Sequence, residues 1–228
     1  MIRELFGGVY RLNGELATLN LTPGRRVYGE KLVTHGGREY RLWNPHRSKL
    51  AAAILLGLEH LPLGRRTKVL YLGAAQGTTA SHISDIAREG IVYCVEVSPR
   101  AMQSLLPLAE ARENMVPILA SAAEPESYCY LLEKVDLVYQ DIARPEQTEI
   151  LLENLRLFLR EGGHFIHIIK ARSIDVTVRP NEVFRREMDK LTGAGAQLLQ
   201  TLRLEPYEKD HLFVLGRFSA ATPHKQDR

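Results

Sequence analysis

From residue 68 onward, short apolar runs alternate with segments whose apolar residues recur at helical spacing. The runs Lys68–Leu72, Ile91–Val95, Val116–Leu119, Val135–Tyr139 and His164–Ile169 predict strands, and Thr78–Ala87, Ala101–Glu110, Glu146–Leu159 and Pro180–Thr192 predict helices. Such alternation implies a mostly parallel sheet covered on both faces. The ending departs from it. Ala196–Leu204 and His211–Phe218 are strand-like, and the residues 205–210 between them are too few for the crossover a parallel pair requires. The last strand must therefore run antiparallel. The first 42 residues instead alternate β-like pieces with turn signals: Val9–Leu12, Asn13-Gly14, Leu16–Asn20, Pro23-Gly24, Val27-Tyr28, Gly36-Gly37 and Glu39–Leu42. This predicts a small antiparallel meander over residues 1–43 and a larger unit over 44–228. Asn44-Pro45 is expected to open a helix through Lys49 and Ala51–Leu56 that Pro62-Leu63-Gly64 closes, and the tail from Ser219 is expected to fray.

Composition narrows the class. Hydrophobic residues make up 45% and charged residues 25% of 228, which excludes long disorder, collagen-like repeats and coiled coil. No apolar run approaches the ~20 residues of a membrane span, and the N-terminus lacks a cleavable signal pattern, so a cytoplasmic protein with no membrane partner is expected. Cys94 and Cys129 lie in apolar stretches without a CxxC pair, as inert core thiols would. The formal charge of +3 is unevenly spread: residues 1–50 carry nine Lys/Arg against four Asp/Glu. A phosphate-binding surface needs such an excess, and a solvated basic face has it equally.

In an open α/β sheet, ligands bind beyond the carboxyl ends of the strands. Gly73-Ala74-Ala75-Gln76-Gly77-Thr78-Thr79 follows the first strand, either as a cofactor loop approached through its backbone N–H groups or as a plain tight turn. It lacks the three glycines of a pyrophosphate loop, and its spacing fits an S-adenosyl-L-methionine loop better. Together with the terminal hairpin, this favours a Rossmann-like S-adenosylmethionine-dependent methyltransferase fold, a seven-stranded sheet with an antiparallel last strand, over a NAD-binding oxidoreductase. Glu96 ends the second strand, placed for ribose hydroxyls or simply solvated. Asp141 follows the fourth strand, Lys170 ends the fifth, and His211 starts the reversed last strand at the same edge. Methyl transfer to a hydroxyl needs deprotonation and in-line positioning. Lys170 can serve as the base with Asp141 orienting it, or as a snorkelling strand-end residue. His211 can orient substrate or be an ordinary polar residue, and Lys49 can clamp a phosphate or be solvated. His164 and His167, three apart on a strand, face opposite sides, so no metal site is expected. Tyr40 and Trp43, interleaved with Arg38, Arg41 and Arg47, can stack on bases or pack the two units together.

Tyr40-Arg41-Leu42-Trp43-Asn44-Pro45, Arg47-Ser48-Lys49-Leu50-Ala51-Ala52, Val69-Leu70-Tyr71-Leu72-Gly73-Ala74-Ala75, Gly77-Thr78-Thr79 and Ser81-His82 resemble fibrillarin in its archaeal form, without the Gly/Arg-rich tail. The likeness continues through Val95–Arg100, Asp141-Ile142-Ala143, Gln147, Lys170–Asp175 and Asp210-His211, and includes Pro23-Gly24 with Val27–Glu30. It implies an S-adenosylmethionine-dependent 2′-O-methyltransferase of rRNA and tRNA, the catalytic subunit of a box C/D guide RNA ribonucleoprotein. A Nop-family scaffold protein and a kink-turn-binding ribosomal-type protein would be its partners, and base pairing rather than this chain would choose the target. It further implies a tetrad of Lys49, Asp141, Lys170 and His211. Cofactor contacts would come from Gly73, Ala74, Ala75, Gly77, Thr78, Thr79, Glu96, Val97, Ser121, Ala122, Asp141, Ile142, Ala143, Arg144 and Gln147. Three positions depart from the family pattern. Ser121 stands where Asp is usual, exchanging a charged acceptor for a hydroxyl; Arg144 replaces Gln, and Gln76 a small residue. A stand-alone methyltransferase and a non-catalytic ribonucleoprotein subunit are the competing readings, separated by activity with and without guide and scaffold.

Overall fold

The structure is a computed structural model and describes residues 2–219; the tail beyond Ser219 lies outside them. Two-residue loops with positive φ at both positions, Asn13-Gly14 (51° and 95°) and Gly36-Gly37 (57° and 74°), close two hairpins. That geometry matches the right-handed twist of the strands it joins. The hairpins pair β2 (Val9–Leu12) with β3 (Glu15–Leu19), and β4 (Leu32–His35) with β5 (Arg38–Leu42). With β1 (Ile2–Phe6) they form a five-stranded sheet ordered β1-β2-β3-β5-β4, so β5 rather than β4 pairs with β3 and the simple meander is broken. Val27 and Tyr28 form no strand, contrary to expectation. Their N–H groups donate to the Glu30 carboxylate at 3.0 and 2.8 Å and are unavailable to a ladder.

The helix expected from Asn44 begins later, at α1 (Lys49–Leu55). Asn44 Oδ1 instead accepts from His46 N at 2.9 Å, a turn that competes with helix, and Ser48 Oγ caps the true start by accepting from Ala51 N. There follow β6 (Lys68–Leu72), α2 (Thr78–Ile86), β7 (Ile91–Glu96), α3 (Pro99–Glu110), β8 (Met115–Leu119), β9 (Val135–Gln140), α4 (Gln147–Phe158), β10 (Leu159–Lys170), α5 (Ala171–Ile174), α6 (Pro180–Gly193), β11 (Ala196–Arg203) and β12 (His211–Phe218). The seven-stranded sheet is ordered β11-β12-β10-β9-β6-β7-β8, and β12 runs antiparallel to both neighbours as expected. The carboxyl ends of β6, β7, β9 and β10 and the start of β12 thus share one edge. Alternation along the strands feeds two cores. Leu70, Val138 and Phe165 face one side, whereas Tyr71, Tyr139 and Ile166 face the other, where Val9 and Leu16 of the small sheet join them.

The small sheet is also fastened by buried charge. Arg41 of β5 reaches Asp85 of α2 at 2.8 Å and Glu30 at 2.6 Å, with its third arm on Ser81 Oγ. Arg112, just past α3, meets the other Asp85 oxygen at 2.7 Å. Thr18 Oγ1 and Leu21 N also donate to Asp85. Burial alone would raise the Glu30 carboxyl; Arg41 and the N–H groups of Tyr28 and Val27 instead hold it below the usual range. His82 bridges Thr18 and Tyr28 and stacks on Trp43 at 4.6 Å. Tyr40 and Trp43 are buried and not free to stack on bases; Trp43 packs the units together through His82, whereas Tyr40 packs within the small sheet, against Tyr10. Cys94 is a core thiol that burial pushes up to about 12. Cys129 is not: a 3₁₀ turn at Pro125–Leu131 leaves it exposed. No helix among the described residues is long and apolar enough to cross a membrane.

Asp85→Ala leaves Arg41 and Arg112 without their shared counter-charge and should destabilise the fold by about 3–5 kcal/mol in a denaturant titration. An effect under about 1 kcal/mol would refute the role given to this carboxylate. His82 and His167 are both depressed by burial, His167 from 6.5 to about 3. The unfolded chain therefore takes up protons first, and the stability they contribute is present above about pH 6.5 and lost as pH falls below it. Lowering pH from about 7 to about 5 should lower the melting temperature, and His167→Gln should remove about 2 kcal/mol of that loss. Equal pH dependence in both proteins would count against it.

Candidate active site

Gly73 follows β6 directly, with φ +81° because the chain must turn there against the end of β9: a Cβ would stand 2.9 Å from both the Asp141 carbonyl oxygen and Ile142 Cγ2. This close approach brings the loop and Asp141 to one rim. Glu96, at the end of β7 and 8% exposed, holds both flanks of the cleft by accepting from Ala75 N and Ser98 N, each at 2.8 Å. The cleft measures about 300 Å³. Gly73, Ala75, Glu96, Val97, Ser121, Ala122, Asp141, Ile142, Ala143, Arg144 and Lys170 line it.

Asp141 stands between two ammonium groups. Oδ2 accepts from Lys49 Nζ at 3.0 Å, and Lys170 Nζ lies 2.7 Å from Oδ1. The directed hydrogen bond of Lys170 goes to the Asp141 main-chain carbonyl at 3.0 Å, so its contact with Oδ1 is chiefly Coulombic. All three side chains are mostly buried, at 18%, 13% and 15% exposed for Lys49, Asp141 and Lys170. His211 sits directly opposite Lys170 in the β10–β12 register, and directly opposite residues share a face. Its Nδ1 donates to Lys209 O at 2.7 Å, which leaves Nε2 as the acceptor. Beneath Asp141, the Tyr71 and Tyr139 rings lie 4.5 Å apart. Burial, reinforced by the Asp141 charge, pushes both phenols well above their ordinary range and keeps them neutral.

The remaining expected contacts stand back from the cleft. Thr79 is buried, its hydroxyl donating to Ser48 Oγ at 2.9 Å, so it ties the loop helix to the cap of the Lys49 helix. Gln147 is fully buried; its Oε1 accepts from Lys170 N at 3.0 Å and its Nε2 donates to Arg144 O at 2.9 Å, fixing both residues from behind. Ala74 and Gly77 are buried, and Thr78 lines a neighbouring hollow with Gln76. Sequence reasoning misses Ser48, although a serine before the first helical residue is a cap signal. It also misses His167 as a support for this rim: the ring meets Gln140 and Thr148 at 3.2 Å each, and the spacing from His164 carries no such signal.

The donor set fits a cationic nucleoside better than a dinucleotide. Two carboxylates face the cleft, and the Ala75 N–H that could cradle a pyrophosphate is already taken by Glu96. An open sheet whose β12 alone runs backwards, with an acid-lined cleft at its strand ends, defines the Rossmann-like methyltransferase class. Within that class the chain belongs to the fibrillarin family, whose model, described as "Fibrillarin", matches residues 2–220. A fibrillarin-like rRNA/tRNA 2′-O-methyltransferase of Methanothermobacter thermautotrophicus is 51% identical over 216 residues, 94% of this chain and 96% of the relative. The crystal structure of Aeropyrum pernix fibrillarin, with natively bound S-adenosyl-L-methionine, superposes with a TM-score of 0.88 at 47% identity and covers 95% of this chain and 97% of that one. A fibrillarin in complex with Nop5p matches with a TM-score of 0.88 at 45% identity over 95% of this chain and 100% of its own.

Gly73→Ala should strain a positive-φ position and drive its methyl into Asp141 and Ile142, destabilising by about 1–3 kcal/mol and displacing the Asp141 rim. Unchanged melting temperature and unchanged binding of S-adenosyl-L-methionine by calorimetry would contradict this.

Proposed function

We propose that this chain methylates ribose 2′-hydroxyl groups of rRNA and tRNA as the catalytic subunit of a box C/D guide RNA ribonucleoprotein. The observation that carries the reading is Asp141 held between Lys49 and Lys170 at the mouth of the acid-lined cleft. S-adenosyl-L-methionine, when bound, supplies an electrophilic methyl group on a sulfonium. Glu96 has lone pairs left for ribose hydroxyls beyond the two N–H groups it accepts, and Ser121 and Ala122 line the cleft on the far side of Glu96 from Asp141, where the adenine edge would lie. The tyrosines below are neutral and buried, so neither takes part in proton transfer at the rim. As the 2′-oxygen takes the methyl group, the methyl–sulfur bond would break and release the neutral thioether S-adenosylhomocysteine, and the hydroxyl proton would pass to the Lys170–Asp141 pair at the rim. Lys49 holds the Asp141 carboxylate in place, and His211 orients the incoming ribose. Ala74, Gly77, Thr79 and Gln147 act by holding the loop and the rim in register.

Partners follow from the same reading: a Nop-family scaffold, a kink-turn-binding ribosomal-type protein, and a guide RNA whose pairing selects the nucleotide, all in the cytoplasm. The small sheet, residues 1–43, then serves as a rigid annex to the methyltransferase unit, residues 44–228. In the assembled ribonucleoprotein, Lys170→Ala and Asp141→Ala should each slow methylation of a guide-paired RNA by about 10²- to 10⁴-fold. Near-wild-type rates in both variants would overturn the mechanism, and equal activity without guide and scaffold would replace the ribonucleoprotein reading with a stand-alone enzyme.

A further inference from the structure

The loop Gly73–Thr79 has a second side. Through Gln76 and Thr78 it borders a separate hollow of about 320 Å³ whose charged lining is Arg25, Arg26 and Arg47. No carboxylate lines this hollow, and among the described residues none of the three arginines forms an ion pair. All three are exposed. Arg47 lies over the Tyr28 ring, its guanidinium carbon 5.8 Å from the centroid.

The backbone carrying these arginines is held firmly while their heads are left unpaired. Asn20 Oδ1 accepts from Thr22 N at 3.0 Å, and Glu39 Oε1 accepts from Gly24 N at 2.8 Å and from Asn20 Nδ2 at 2.7 Å. Just beyond, Glu30 accepts from Val27 N and Tyr28 N, and Glu30 is itself locked by Arg41. Three like charges around one hollow repel one another, and a bound anion relieves that repulsion. The N-terminus of α2 opens beside them with Gly77 as its cap and no side chain satisfying its first N–H groups. The planar fork of arginine matches phosphate oxygens.

We infer that this hollow seats a backbone phosphate of the RNA, on the opposite side of the loop from the cofactor cleft, and so sets the register in which a ribose reaches Asp141 and Lys170. The inference rests on the RNA reading above and deepens it. One ordered loop touches both ligands, so a phosphate held at Arg25, Arg26 and Arg47 fixes how far along the strand the reacting hydroxyl lies.

The test uses the assembled ribonucleoprotein with Arg25→Gln, Arg26→Gln, Arg47→Gln and the triple variant, all exposed positions outside the core. RNA binding is followed by fluorescence anisotropy across a salt series, S-adenosyl-L-methionine binding by calorimetry, and methylation as separate kcat and KM for RNA. The expected result is a higher KM for RNA, unchanged cofactor affinity, and a plot of log affinity against log salt flattened by about 0.9 for each phosphate no longer neutralised. An unchanged salt slope and KM in the triple variant would overturn the phosphate site while leaving the methyltransferase reading intact. Loss of scaffold co-purification with RNA binding unaltered would overturn it in favour of a protein-docking surface. Absence of RNA methylation by the wild-type assembly would instead defeat the functional reading, and the salt slope would still decide on the phosphate.

Discussion

Asp85 accepts four donors from three directions: Arg41, Arg112, Thr18 Oγ1 and the main chain of Leu21. Its side chain and those of both arginines are inaccessible to solvent. Charge in such a place is tolerated only while every partner is present, because the desolvation it suffered is offset by those contacts alone. The node therefore forces the small sheet, helix α2 and the chain leaving α3 to dock together. Since α2 begins at the loop that walls the acid-lined cleft, the position of that loop is set from the far end of its own helix. The small sheet is in this sense part of the scaffold of the candidate site, although none of its strands lines the cleft.

A second chain of contacts carries the constraint to the rim. Arg41 also holds Ser81, and on the same helix Thr79 grips Ser48, the cap of the helix that starts at Lys49. Lys49 thereby reaches Asp141 from the N-terminal side while Lys170 reaches it from the end of β10, whose backbone is held by Gln147. The central carboxylate is thus addressed by elements that are distant in the chain and fixed independently of one another. Its two oxygens do not play the same part. One carries a directed hydrogen bond to Lys49, and the other a closer Coulombic contact to Lys170, whose own hydrogen bond goes to the main chain. The Lys170 nitrogen is thus placed by the main chain as well as by the carboxylate.

Much of this is legible along the chain. Strands buried on both faces read as continuous apolar runs, and Lys68–Leu72 and Val135–Gln140 emerge within a residue of the expected spans. The linker after Arg203 is too short for a crossover, which is enough to reverse the last strand. Asp141 and Lys170 are readable because the sheet rule alone brings strand ends together. Val27-Tyr28 misleads because β-propensity knows nothing of a nearby glutamate that captures the same N–H groups. Asn44 misleads because its side chain builds a turn where a helix start is equally permitted.

What the sequence determined by itself were the local and topological matters: the order of strands and helices, the antiparallel ending, the glycine loop and the identities of the groups at one edge of the sheet. Each depends on spacing and on backbone freedom, which neighbouring residues decide. Tertiary structure alone decided that Arg41 is a buried tie and not a surface base-reader, that Thr79 and Gln147 brace the site from behind, and that Cys129 faces solvent. These depend on which partners arrive from other elements far along the chain, or on the outward face of a turn, and hydrogen bonding and burial are settled only when those partners meet.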